Sequence, residues 1–93
     1  MLEFEARNFE ELESEAADRA HEVSISVVKA VIKALDKGAD KVVVGILSTL
    51  DLDLTVDHAG YLQALESNLI RCEEAEEYEL CKDAISWIKK LRK

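Results

Sequence analysis

Lys41-Val42-Val43-Val44-Gly45-Ile46-Leu47 is the stretch on which the fold turns. Read as a helix capped by Asp40 and running to Leu50, it sets Val43, Ile46, Leu47 and Leu50 on one face, with Gly45 as the weak point. Read as a strand, it is a short β-rich run of the kind that lies buried in a sheet. The chain has no proline and three glycines, and unbroken stretches favour helix wherever apolar residues recur at three and four. The helical reading is adopted.

Upstream, Phe9, Leu12, Ala16, Ala20, Val23, Val27, Val31 and Leu35 follow steps of three and four from about Asn8 to Lys37. This predicts one apolar stripe along a helix. Asn8 is placed as N-cap with Glu11 three residues on, acids open the helix, Lys29, Lys33 and Lys37 close it, and Gly38 stops it. Such a rod is roughly 45 Å long, more than so small a domain wraps with its own chain, so part of the stripe is expected to need a second chain. The run Val23-Ser24-Ile25-Ser26-Val27-Val28 alternates as a strand does, and a break there would give two shorter helices.

Downstream, Asp51-Leu52-Asp53-Leu54-Thr55-Val56-Asp57 alternates polar and apolar and predicts an extended connector. Thr55 or Asp57 caps a third helix with Tyr61, Leu62, Leu65, Leu69 and Cys72. A turn near 74–77 leads to a fourth with Tyr78, Cys81, Ile85, Ile88 and Leu91, the two forming an antiparallel hairpin. The acidic Glu3-Phe4-Glu5 segment is expected to fray. No repeat or linker divides the chain, so residues 1–93 read as a single all-α domain. It is a small helical bundle with a long N-terminal helix and a C-terminal hairpin.

With 12 basic against 20 acidic residues, the net charge of -8 argues against direct binding of nucleic acid. The apolar runs fall short of a membrane span. No basic and apolar leader pattern opens the chain, and two cysteines make no disulfide framework, so the cytoplasm is the expected compartment. The charge is uneven: acids crowd Glu3 to Glu22, and Lys82, Lys89, Lys90, Arg92 and Lys93 gather at the other end.

Chemistry-bearing patterns are thin. Asp51, Asp53, Thr55 and Asp57 alternate like the first ligands of a calcium loop, but Val56 and Leu62 stand where the glycine and the bidentate glutamate belong. Cys72, Cys81, His21 and His58 lack zinc spacing. The two cysteines, level across the hairpin, read either as a disulfide in an oxidising setting or as buried apolar residues in a reducing one. No elbow or oxyanion turn accompanies either histidine, and the carboxylates at Glu73, Glu74, Glu76, Glu77 and Glu79 read as a wet turn. Trp87 reads as a core or half-buried anchor. No catalytic, cofactor or metal residues are expected.

Leu65 and Leu69, the acidic turn ending in Glu77-Tyr78-Glu79, the small residue Cys81, and Ile88-Lys89-Lys90-Leu91 carry a likeness. Residues 65–91 resemble the UVR motif, the helical hairpin of excision-repair incision subunits and of some protease-regulating adaptors. Ile85-Ser86 replaces that family's Arg-Asp pair. The resemblance implies a protein-binding module without catalysis, with Tyr78 packed back on the first helix of the hairpin. The chain as a whole also resembles small acidic accessory proteins of large tailed bacteriophages.

The expected function is a non-catalytic adaptor, regulator or inhibitor acting through helical surfaces as a homodimer, with Phe9, Leu12, Ala16, Val23, Val27 and Trp87 as protein-binding residues. The alternative is a DNA mimic, with Glu10, Glu11, Glu13, Glu15, Asp18 and Glu22 as its acidic face and Glu3 and Glu5 beside it.

Overall fold

The computed structural model describes residues 2–92 and shows an α+β fold, correcting the all-α helical-bundle expectation. The order is β1 (Leu2–Phe4), α1 (Phe9–Asp18), α2 (Ala20–Lys37), β2 (Lys41–Leu47), a 3-10 turn (Ser48–Leu50), β3 (Leu52–Asp57), α3 (His58–Glu74) and α4 (Tyr78–Leu91). The sheet order is β1-β2-β3. β1 runs parallel to β2 over Leu2↔Gly45, Glu3↔Ile46 and Phe4↔Leu47, joined to it through α1 and α2, and β3 runs antiparallel to β2 along its full length.

Lys41–Leu47 is therefore strand, not helix. Its β-branched valines suit a pleated surface, and Gly38 (φ 68°) ends α2 before them. The Gly38 N–H reaches the carbonyls of Ala34 and Leu35, and Ala39 N–H bonds Ala34 O at 2.9 Å, a left-handed cap that turns the chain into the sheet. The register shifts between Val43 and Gly45, which makes Val44 the extra residue of a bulge. The bulge explains why Val42 and Leu47, five residues apart, both pack toward the helices. An undisturbed strand would turn them to opposite faces. The side chain of Leu50 lies outside the described residues.

The predicted rod is also corrected: it breaks at Arg19, whose backbone (φ -113°, ψ 30°) leaves helical geometry. The Val23–Val28 run stays helical. Asn8 caps α1 as expected, its Oδ1 accepting from Glu11 N–H at 2.9 Å, while the Glu11 carboxylate accepts from Arg7 N–H at 2.8 Å. Asp57 caps α3 through Gly60 N–H at 3.1 Å. Phe4 does not fray; at 3% exposure it anchors a small core with Ala6 and Leu47, against which Leu12, Ala16, Val23 and Leu54 pack. This core covers much of the stripe that was expected to need a second chain.

The main core joins α2, α3 and α4 through Val28, Val31, Ala34, Tyr61, Leu65, Cys72, Cys81, Ala84 and Ile88. α2 and α3 also pack on the sheet, and α4 lies against both of them. Ser24, buried in α2, donates to Asn68 Oδ1 at 2.9 Å, and Asn68 Nδ2 donates to Ala64 O at 2.7 Å, so this interhelical polar contact is satisfied. Tyr61 is fully buried and donates its hydroxyl to Ala39 O at 3.0 Å, while His58 N–H bonds Asp40 O at 2.6 Å. These two bonds fasten the start of α3 to the turn between α2 and β2. Replacing Tyr61 by Phe strands the Ala39 carbonyl and should cost about 1 kcal/mol, read as a lowered urea midpoint with an unchanged slope. An unchanged midpoint would remove this contact from the account.

Candidate functional site

The described lysines fall into two rows: Lys29, Lys33, Lys37 and Lys41 along α2 and into β2, and Lys82, Lys89 and Lys90 along α4. Among the described residues none of them lies within 4.0 Å of a carboxylate, whereas Arg19 is paired with Glu15 and Glu22, and Arg92 with Glu66. Lys93 lies outside the described residues. An acidic chain thus keeps its lysine charge unneutralised in two places.

The α4 row borders an open groove of about 920 Å³ lined by Tyr78, Lys82, Ile85 and Lys89, with Glu73, Ser86, Lys90 and the largely buried Cys81 beside them. Those first four recur at steps of four, three and four, so they share one helical face. Tyr78 is 65% exposed and Ile85 39%. The UVR resemblance has the aromatic packed back on α3; here it stands in solvent. The fourth-helix stripe expected from sequence is thus two faces, with Cys81, Ile88 and Leu91 toward the core and Tyr78 and Ile85 away from it.

Of the six expected protein-binding residues, only Phe9 is free, at 72% exposure. Leu12, Ala16 and Val23 pack on the small core, and Val27 and Trp87 on the main one. Trp87 is half-buried, with the Lys90 ammonium 4.5 Å from its ring centroid, a cation–π contact that orients Lys90. Phe9 opens α1, a helix that buries no residue of its own and shows Glu10, Glu13 and Asp18 to solvent.

The rest of the acidic face is partly committed to the fold. Glu11 closes the α1 cap, Glu15 accepts from Glu5 N–H at 3.3 Å, and Glu22 meets Arg19 at 2.6 Å. The Arg19 hydrogen bond holds the Glu22 carboxyl below the ordinary glutamate range, partly opposed by desolvation. Glu3 and Glu5 are exposed at β1 and just past it.

Cys72 and Cys81 are buried free thiols in the main core. Burial pushes both up from the ordinary cysteine value; Cys81 and the carboxylates of Glu77 and Glu73 add to the effect on Cys72, and Glu73 does so on Cys81. His21 sits 3.3 Å from Glu74 on the exposed surface, and His58 tilts against Tyr61 with ring centroids 5.3 Å apart. No group of three or more His, Cys, Asp or Glu able to hold a metal occurs among the described residues, and none of their helices is long and apolar enough to cross a membrane. Comparisons with protein-family models, curated proteins and solved structures return no match.

Because the thiolate is the reacting species, the raised thiols should resist iodoacetamide at neutral pH and label only as the protein unfolds in urea. Rapid labelling of the folded chain, followed by mass spectrometry, would contradict the burial of this pair.

Proposed function

We propose that the chain is a non-catalytic protein-binding module of the adaptor, regulator or inhibitor kind that works as a homodimer in the cytoplasm. In it, α1 of one copy lies on the α4 groove of the other. One observation carries this reading: two exposed helical faces, one on α1 and one on α4, have complementary chemistry. α1 offers exposed Phe9 with Glu13 one turn on and Glu10 at its flank, and α4 offers Tyr78 and Ile85 among Lys82 and Lys89. At 10 and 14 residues the helices span about 15 and 21 Å, lengths that suit a helix laid in a groove.

Two copies related by a two-fold axis would make this contact twice and close on themselves, avoiding an open chain. Apolar anchors supply affinity and the flanking charges set orientation. The likeness of residues 65–91 to the UVR hairpin points to the same class, and two free buried thiols suit a reducing compartment.

Sedimentation velocity of the purified chain should show a concentration-dependent dimer. Phe9→Glu and Ile85→Glu should each shift it to monomer without changing its circular dichroism. A monomer persisting to high micromolar concentration, or a dimer indifferent to both substitutions, would overturn the reading.

A further inference from the structure

β1 reaches only part of its neighbour. It pairs with Gly45, Ile46 and Leu47, while β3 pairs with β2 back to Lys41. In a strand, alternate residues aim their N–H and C=O to opposite sides. Along Lys41–Val43, the groups directed away from β3 therefore have no strand partner among the described residues. Among the described residues no turn, loop or side-chain hydrogen bond engages Lys41–Val44 either. An edge of this kind is a ready template for another strand.

Beside this edge is a groove of about 460 Å³. α2 lines it with Ser26, Ala30, Lys33 and Lys37, at steps of four, three and four, and so with one helical face. The first two are small and leave room beside the strand; the next two set ammonium groups at the rim. Lys41 and the valines of β2 form the other wall. Lys29 continues the row along α2, while neither Asp36 nor Asp40 lines the groove. An unpaired backbone edge, a groove floored by small α2 side chains and an unneutralised lysine row thus coincide at one place.

We propose that this groove binds an extended segment of a partner protein in which Asp or Glu alternates with small apolar residues. The segment adds to Lys41–Val44 as a further strand. Backbone hydrogen bonds to β2 supply the attachment, and the alternate acids, projecting to the helix-side face of the added strand, meet Lys33 and Lys37, while Lys41 adds positive charge at the strand's end. A second copy is the wrong occupant for this edge: antiparallel pairing of β2 with β2 would set two lysine rows against each other, a like-charge arrangement that costs stability. The site is separate from the α1-on-α4 contact and goes beyond it. Lysines on an edge also serve to repel stray strands, and the same experiment separates that role from recognition.

The probe is the synthetic peptide acetyl-Glu-Val-Glu-Val-Glu-Val-amide, titrated into the isotope-labelled full chain at about 0.15 M salt, where repulsion from the net acidic charge is screened beyond roughly 8 Å. The control peptide has Lys for every Glu. The acidic peptide should shift the backbone resonances of residues 41–44 and slow exchange of their outward amides, and the lysine peptide should not. The exposed double substitution Lys33→Glu and Lys37→Glu should weaken binding by about tenfold or more. Phe9→Glu should leave it unchanged, so that failure here and failure of the dimer are read apart. Equal binding of both peptides, no response at residues 41–44 at millimolar peptide, unweakened binding by the double variant, or shifts at 41–44 produced by self-association on concentration would each overturn the proposal.

Discussion

The stopping point of β1 constrains the rest of the molecule. After Phe4 the chain is drawn off the sheet: Ser48 Oγ donates to Phe4 O at 3.1 Å, Thr49 Oγ1 donates to Ala6 O, and Arg19 donates to Glu3 O at 2.9 Å while its guanidinium lies 5.4 Å from the Phe4 ring centroid. These bonds pin β1 at the Leu47 end of β2 and bring the chain to the Asn8 cap. The helical rod then bends at Arg19, and the small core of Phe4, Ala6 and Leu47 fills the space between. One arginine thus ties the first strand, the break between α1 and α2, and the acids Glu15 and Glu22 into one unit. Fixing β1 at one end of β2 leaves the other end open.

The C-terminal half was legible in the sequence because its signals are local. Asp57 caps α3, Gly38 ends α2, and the apolar spacing of α3 and α4 needs no distant partner to make sense. The alternation of Asp51 to Asp57 marks a strand from Leu52 on, with Leu54 and Val56 inward, while Asp51 is a left-handed turn residue (φ 52°) and Leu52 is exposed. In Lys41–Leu47 the bulge at Val44 destroys that alternation, and only pairing with β1 and β3 supplies what the local pattern lacks. Phe4 lacks a local signal for a related reason. Three residues cannot announce a strand, and its burial depends on Leu47 and Leu12, far along the chain.

The candidate surfaces were less legible than the fold. Phe9 is exposed, but Leu12, Ala16 and Val23 on the same stripe are covered by the small core that β1 anchors, a strand without a local signal, and Val27 by the main core. The sequence sets Lys29, Lys33 and Lys37 toward a helix C-terminus, and of these Lys37 stands in the last turn of α2. Their alignment with Lys41 beside an unfinished strand pairing emerges only once that segment is a strand. The exposure of Tyr78 and Ile85 was hidden because both share a helix with core residues two or three positions away. What unites the two basic surfaces is scarcity: on a chain of net charge -8, lysine is gathered where apolar or backbone groups are also left open.

The central claim is that β2 is finished on one side and half finished on the other. Residue-resolved amide hydrogen exchange on the unliganded chain tests it most directly. The account predicts strong protection at the amides of Gly45–Leu47 that face β1, and fast exchange at the outward amides of Lys41–Val43 under conditions where α2 and α3 stay protected. Uniform protection along the whole of β2 would show that something already covers that edge and would contradict the account.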